Sequence, residues 1–180
     1  MAREEHLDRA PLYVYDESGR EYLEALAGLW CTALGFGETR LAEAAYRQLN
    51  RLPYYHQFGG KANDVAITLA ERLVKLVPVS KVFFNNSGSE ADESAVKLVW
   101  YYNNARGWYR KKKIISRQRA YHGTTMVAAN LTGLHASHRD FNLPIPQVRH
   151  TDCPYFYRHG KPGESEEEFA TRLAPGTSPK

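Results

Sequence analysis

Cysteine is scarce in this 180-residue sequence, with only Cys31 and Cys153, and the two do not form a CxxC pair. Two thiols are too few for a disulfide framework, and so low a number of cysteines is typical of proteins in a reducing compartment. No apolar run approaches the roughly 20 residues of a membrane span. The first residues mix acidic and basic side chains without the apolar segment of a signal peptide. These absences predict a cytoplasmic protein without a membrane partner.

Nucleic-acid-binding signals are also lacking. The net charge is only +4, and seven of the basic residues fall between Arg106 and Arg119. No aromatic platform motif or recognition helix accompanies this run. We therefore interpret it as a solvated loop that leads into a strand, with no nucleic acid as partner. The sequence likewise predicts no metal site.

Hydrophobic periodicity predicts alternating strands and helices. "LYVYDESGREYLEAL" indicates a β-hairpin with its turn at Asp16 to Gly19. Two helices follow, the first ended by Pro53 and the second capped by Asn63 or Asp64. The later segments alternate between strands, at Val82 to Asn85, "KIISR" and "PQVRH", and helices, after Ser87 and in "TTMVAANL". In the helix after Ser87, one apolar stripe is formed by Ala91, Ala95, Leu98, Val99 and Tyr102.

This alternation is typical of an α/β fold with a parallel sheet. Because three strands are few for a parallel sheet covered on both faces, we predict an incomplete three-layer α/β/α domain. Residues 1–62 form an N-terminal segment with a hairpin, a helix and an aromatic loop, and residues 63–173 form the first part of the α/β domain. Ser165 and Glu168 predict a capping box for a last helix, and 174–180 is an irregular tail.

The junction "NNSGSE" between a predicted strand and helix has two explanations. Ser87 and Glu90 have the spacing of a capping box, which needs no ligand. That explanation leaves Gly88 and Ser89 unaccounted for, because glycine in a helix costs about 0.5–1 kcal/mol relative to alanine. Glycine would also let an anion approach the free N–H groups of the helix, and a serine hydroxyl would add a donor. On local physics, a plain cap and a phosphate seat both remain open.

A second junction, at the end of the next predicted strand, favours the phosphate seat over the plain cap. Tyr121, His122 and Gly123 follow "KIISR", at the carboxyl end of a predicted parallel strand. Ligands bind beyond the carboxyl ends of such strands. An aromatic side chain there could lie against a ligand ring while the first junction holds the ligand's phosphate.

"FFNNSGSEADESAVKL", followed about thirty residues later by "AYHGTT", resembles the class III (fold type I) pyridoxal-phosphate-dependent aminotransferases. "ALAGLWCTALGFGETRLAEAAYRQLNRLPYYHQF" and "NLPIPQVRHTDCPYFYRHG" resemble in particular the ω-amino acid:pyruvate transaminases. The resemblance runs from about Pro11 to about Leu173 and implies the cofactor pyridoxal 5'-phosphate. It also implies a homodimer, with amines or amino acids and keto acids as substrates.

The resemblance assigns roles to individual positions. In the family the glycine and second serine of "SGSEA" hold the cofactor phosphate, and the tyrosine of "YHG" stacks on the pyridine ring with the histidine beside it. The tryptophan of "GLWC" and the phenylalanine after "LPYY" line the substrate pocket, although both could be ordinary buried aromatics. The positions implied here are Gly88, Ser89, Tyr121 and His122 for the cofactor, and Trp30 and Phe58 for the substrate. Asp92 departs from the asparagine usual in the family, and we expect it to face away from the phosphate.

The catalytic groups of the family are not matched. They are a lysine that forms a Schiff base with the cofactor and an aspartate against the pyridine nitrogen, and in the family both lie beyond the matched region. None of the lysines here has a matching context. We therefore predict the N-terminal part of an aminotransferase that is inactive alone. The alternatives are a non-catalytic remnant that binds pyridoxal phosphate or another phosphate, and part of a related aminomutase or decarboxylase.

Overall fold

The computed structural model describes residues 12–174. These residues form two compact units, which meet in sequence between Lys81 and Val82. None of the helices in this range is long and apolar enough to cross a membrane. The tail predicted at 174–180 lies, apart from Ala174, outside the described residues.

The first unit begins with the predicted hairpin. Strands β1 (Tyr13–Tyr15) and β2 (Glu21–Leu23) pair in antiparallel register. Asp16 organises the turn, since its carboxylate accepts hydrogen bonds from the Ser18 hydroxyl at 2.6 Å and the Tyr22 hydroxyl at 2.9 Å. These bonds to the charged form lower the pKa of Asp16 to about 2. The hairpin prediction is confirmed.

Ala27–Trp30 forms a short turn that the sequence analysis did not foresee. All four residues have positive φ, and Gly28 and Leu29 have ψ values of 43° and 49°. This is the left-handed helical region, which costs an L-residue about 1–2 kcal/mol. The turn is therefore strained at every position except the glycine.

Helices α1 (Thr39–Arg51) and α2 (Asp64–Leu76) complete the first unit and confirm the two predicted helices. Asn63 caps α2, because its side chain accepts the N–H of Ala66 at 2.9 Å. The Arg51 guanidinium lies 2.7 Å from the Asp64 carboxylate and lowers the pKa of that carboxyl group. This ion pair joins the end of α1 to the start of α2.

The second unit is built on two parallel strands, β3 (Ile114–Arg117) and β4 (Val148–Thr151). Helices α3 (Gly88–Ala105) and α4 (Met126–Leu131) pack with them. The buried cluster consists of Val96, Leu131 and Val148, with partly buried apolar side chains of Trp100, Ile114, Val127 and Ile145 around it. The α/β class and the parallel pairing are thus present, in a partial domain.

The buried face of α3 differs from the predicted stripe. Val96 and Asn103 are buried, and Trp100 packs against the core. Leu98, Val99 and Tyr102, which belong to the predicted stripe, are exposed. Helix α3 is apolar on two sides, and periodicity cannot tell which of two apolar sides will be covered.

The predicted strand at Val82 to Asn85 does not form. Residues 81–85 carry no strand hydrogen bonding, and the Phe83 side chain is 71% exposed. A strand needs a neighbour for its backbone N–H and C=O groups. Since no segment among residues 12–174 pairs with these residues, the apolar run does not form a strand.

The unit ends with α5 (Phe156–His159) and α6 (Glu166–Leu173), after a 3₁₀ turn at His135–Ser137. The predicted capping box of α6 is confirmed, with the Ser165 hydroxyl accepting the Glu168 N–H and the Glu168 carboxylate accepting the Ser165 N–H. The Arg172 guanidinium, 2.6 Å from Glu164, lowers the pKa of that carboxyl group to about 2.

Candidate cofactor site

Ser87 begins α3 as its sequence predicts. Its hydroxyl accepts the N–H of Glu90 at 3.2 Å, which is half of a capping box. The other half differs from the prediction, because the Glu90 carboxylate accepts the N–H of Asn86 at 2.9 Å instead of that of Ser87. The carboxylate therefore holds the residue before the cap and fixes how the chain enters the helix.

Gly88 and Ser89 have unused hydrogen-bond donors at the N-terminal end of α3. Their backbone N–H groups donate to no acceptor in the described part of the chain. A Cβ atom placed at Gly88 would meet nothing within 4 Å, so the space in front of it is open. Two free N–H groups facing open space at the positive end of an 18-residue helix form a suitable seat for an anion.

Ser89 also joins the first junction to the second. Its hydroxyl oxygen accepts the N–H of Thr124 at 3.1 Å, across 35 positions in sequence. A Cβ at Gly123 would overlap this oxygen, so the approach requires glycine. Because the oxygen is used as an acceptor, the hydroxyl proton remains available for donation to a ligand.

Glu93 makes a second link one helical turn further along α3. Its carboxylate accepts the N–H of Val127 at 2.7 Å. Val127 lies in the first turn of α4, whose N-cap residue, Thr125, provides no side-chain cap. A carboxylate from α3 therefore satisfies a free N–H of α4 and holds the intervening loop against α3.

Tyr121 and His122 lie at this loop. The Tyr121 ring is 63% exposed, as a platform for a ligand ring would be. The backbone N–H of His122 donates to the buried Thr132 hydroxyl at 2.9 Å. That hydroxyl is 3.0 Å from the Ala128 carbonyl oxygen, so the loop is tied to the buried end of α4.

A cavity of about 380 Å³ brings these residues together. It is lined by Ser87, Gly88, Ser89, Asp92, Tyr121, His122 and Gly123. All four predicted cofactor residues are in this set. Larger cavities of about 700 Å³ lie near α5 and α6, away from both junctions.

Asp92 does not face away from the site, contrary to our expectation. It lines the cavity, and its carboxylate lies 3.7 Å from the His122 ring nitrogen Nδ1. The position follows from α3 itself, because residues three and four apart share a face and Asp92 therefore lies beside Gly88 and Ser89.

The two predicted substrate residues belong to the first unit and are not buried. Trp30 is 76% exposed at the end of the left-handed turn, and Phe58 is 84% exposed in the loop between α1 and α2. The suggestion that they are ordinary buried aromatics is therefore wrong for the described chain. Their large apolar surfaces are free to contact a ligand or another part of a larger protein.

Sequence reasoning missed Glu93 and Thr124, which tie α3 to the second junction, and Thr132, which supports His122. A signal existed for one of them. Glu93 follows Ser89 by four positions and so lies on the same helical face. No local signal indicates that Thr132 supports His122, because the contact depends on how the chain folds back after α4.

The donors present suit a phosphorylated ring compound. Free N–H groups, a serine proton and a helix N-terminus can bind a dianionic phosphate. An exposed tyrosine at the neighbouring strand end offers a surface to the ring. These features match the requirements of pyridoxal phosphate.

Comparison with curated proteins identifies transaminases. The chain is 58% identical over 165 residues to a probable γ-aminobutyrate transaminase 2, mitochondrial, of Oryza sativa subsp. indica, covering 90% of this chain. It is 54% identical over 165 residues to a vanillin aminotransferase of Capsicum annuum, again covering 90% of this chain. The aligned region is 33% of the first relative and 36% of the second, so the chain spans about a third of their length.

Comparison with solved structures also identifies transaminases. The ω-transaminase from Pseudomonas jessenii in complex with PMP matches with a TM-score of 0.88 and 54% identity, over 92% of this chain and 37% of that one. A transaminase solved with L-Ala matches with the same TM-score and 55% identity, over 92% of this chain and 40% of that one. The predicted fold class is thereby confirmed. The family model Aminotransferase class-III matches residues 8–174, and the chain therefore belongs to this family of pyridoxal-phosphate-dependent enzymes.

Proposed function

We propose that the chain is the N-terminal part of an aminotransferase that moves an amino group from an amine or ω-amino acid to a keto acid such as pyruvate. Family membership and the names of the relatives, γ-aminobutyrate transaminase and vanillin aminotransferase, support this proposal. The proposal rests mainly on the cavity in which the N-terminal end of α3 meets the loop that contains Tyr121. Since the relatives are transaminases, the aminomutase and decarboxylase alternatives have less support.

Within this proposal the residues of the chain bind and orient the cofactor. The Gly88 and Ser89 N–H groups hold the phosphate, and the Ser89 hydroxyl donates to it while accepting from Thr124. Tyr121 and His122 line the same cavity, where the Tyr121 ring would offer its face to the pyridine ring of the cofactor. When bound, pyridoxal phosphate supplies the electron sink that amino-group transfer requires. Trp30 and Phe58 provide apolar surface for the substrate.

The proposal also limits what this chain does alone. Amino-group transfer on this cofactor needs a lysine amine to form a covalent link to it and to move a proton. No lysine lines the described cavity. We propose that the chain anchors the cofactor without catalysing transfer, and formation of alanine from pyruvate and an amine by the purified chain would contradict this.

Partners and compartment are further proposals. We infer a homodimer from the family and no nucleic-acid or membrane partner from the sequence. A cytoplasmic location is compatible with the free thiols of Cys31 and Cys153, although some relatives are named as mitochondrial or chloroplastic. Fractionation of cells that express the full gene tests the compartment, and enrichment in an organelle would overturn it.

The phosphate seat is tested by titrating the ¹⁵N-labelled chain with pyridoxal phosphate and with inorganic phosphate. The amide resonances of Gly88, Ser89 and Thr124 are expected to move with either ligand, because the phosphate is the shared group. Ser89→Ala removes one charge-assisted hydrogen bond and should weaken binding by about 10- to 100-fold, equivalent to about 1.5–3 kcal/mol.

Ser80→Ala is the matched control, since Ser80 is exposed and lies outside the cavity. It should leave the affinity unchanged. Equal affinities for the Ser89→Ala variant and the unmodified chain, or shifts confined to other residues, would refute the phosphate seat.

A further inference from the structure

The turn at Ala27–Trp30 combines strain with an exposed aromatic side chain. The φ angles are 50° at Ala27, 58° at Gly28, 60° at Leu29 and 66° at Trp30. Three of these residues carry a Cβ, which makes the left-handed conformation unfavourable. Such a conformation persists only where surrounding contacts hold it, and strained backbone is concentrated at functional sites.

The Glu24 carboxylate contacts the backbone at the start of this turn. One carboxylate oxygen accepts the N–H of Leu26 at 3.0 Å, and the other accepts the N–H of Gly28 at 2.7 Å. Bonds to a charged acceptor are about twice as strong as neutral ones. The side chain thus uses both oxygens on the backbone at the start of the turn.

Two backbone hydrogen bonds, which follow the Glu24 contacts along the chain, complete the turn. The Trp30 N–H donates to the Leu26 carbonyl oxygen at 2.9 Å, and the Thr32 N–H donates to the Ala27 carbonyl oxygen at the same distance. Both acceptor residues lie in the segment that the carboxylate holds. The position of Trp30 therefore depends on Glu24 through a short chain of hydrogen bonds.

Little else in the described chain fixes Trp30. Its side chain is mostly exposed, and its indole makes no ring or cation contact within residues 12–174. Side-chain packing therefore does not set its direction. The left-handed backbone conformation at Trp30 sets the direction of its side chain instead.

We propose that Glu24 is a positioning residue for Trp30. Its carboxylate keeps the turn left-handed and so presents the indole as an apolar wall for the side group of an amine substrate. The substrate part rests on the proposed function. The link from Glu24 to the turn is a property of this chain alone and can be tested without cofactor.

The test is amide hydrogen exchange, followed by NMR on the full 180-residue chain and its Glu24 variants. Glu24→Ala removes both bonds, and the Trp30 and Thr32 amides should exchange roughly tenfold faster or more. Glu24→Gln keeps one acceptor oxygen and should give an intermediate increase. The Trp30 indole N–H resonance should shift in the same order.

Glu17→Ala is the matched control, because Glu17 is an exposed carboxylate in the nearby hairpin turn. It should leave the Trp30 and Thr32 amides unchanged. Hairpin amides such as that of Gly19, which donates to the Asp16 carbonyl oxygen at 3.0 Å, serve as an internal reference and should also be unchanged in the Glu24 variants.

Two results would overturn the proposal. Unchanged exchange at Trp30 and Thr32 would show that the turn holds itself. Equal acceleration of the hairpin amides would show that Glu24 only stabilises the unit as a whole. If Glu24→Ala does not fold, Glu24→Gln provides the same comparison. Loss of the phosphate response at Gly88 and Ser89 would instead count against the proposed function and leave this result untouched.

Discussion

Gly123 and Ser89 approach each other closely in the cofactor site, and this contact predicts a specific defect. Gly123 has φ +130°, and a Cβ there would overlap the Ser89 hydroxyl oxygen. Gly123→Ala should displace Ser89, break its bond to the Thr124 N–H and weaken phosphate binding about as much as Ser89→Ala does. Phosphate titration and the Thr124 amide resonance measure this effect.

Gly163→Ala is the control that separates the effect of steric crowding in Gly123→Ala from the effect of backbone strain. Gly163 also has positive φ, +79°, but a Cβ there meets nothing within 4 Å. Both variants should lose stability because the backbone conformation suits glycine, by about 1 kcal/mol or more. Only Gly123→Ala should lose phosphate affinity, and an equal loss in both variants would contradict the crowding argument.

The other residues of the site differ in how visible they are in the sequence. Ser87 was predictable as a cap because its partner is three positions away. Asp92 was misjudged, although its spacing of three and four positions from Ser89 and Gly88 places it on the same face of α3. Thr132 gave no local signal at all, although its buried hydroxyl supports His122.

Among the elements, α4 depends on its neighbour. It has six residues and no side-chain cap of its own, and Glu93 of α3 accepts the N–H of Val127 instead. Glu93→Ala should destabilise the second unit by about 1–2 kcal/mol and expose the Val127 amide to exchange. Urea unfolding together with hydrogen exchange at Val127 measures both effects.

Glu93→Gln should recover most of the loss, because its side-chain oxygen can still accept the bond. Glu167→Ala, at an exposed position on α6, is the control for removal of a carboxylate. If Glu93→Ala and Glu167→Ala were equally mild, the cap across the two helices would be unimportant and α4 would be held by its apolar contacts alone.

Strands and helices differ in how far the sequence predicts them here. Helices α1, α2 and α6 appear where the patterns indicate, since their hydrogen bonds and caps are local. The run at Val82 to Asn85 has the composition of a strand but lacks strand pairing in the described chain. Its hydrogen bonds would require a neighbouring strand, which its own sequence cannot supply.

At the largest scale, most large apolar side chains of the described residues are exposed. The buried apolar residues among positions 12–174 are few and belong to the second unit: Val96, Ala128, Leu131, Val148 and Phe169. On α1, by contrast, the apolar side chains of Leu41 and Leu49 are exposed. Exposed apolar surface of this extent is characteristic of interaction sites or of aggregation. It is in keeping with a chain that spans about a third of its relatives.

The purified chain should therefore bind a hydrophobic dye such as ANS and self-associate. Light scattering coupled to size exclusion should give a mass above 20.5 kDa that rises with concentration. Replacing Leu41 and Leu49 with lysine should reduce dye binding, whereas Arg47→Lys on the same helix should not. A monodisperse monomer without dye binding would show that the apolar faces are covered in solution.

The sequence by itself determined the N-terminal caps of α2, α3 and α6, the hairpin and the family, because caps, turns and motifs are interactions between residues a few positions apart. The tertiary structure alone decided which face of α3 is buried, how Ser89 reaches Thr124 across 35 positions, and how Glu93 caps a second helix. The left-handed turn at Ala27–Trp30 is local, but it also needed the structure, because three of its residues have side chains that disfavour that conformation. Contacts between distant segments depend on chain geometry that no local pattern encodes.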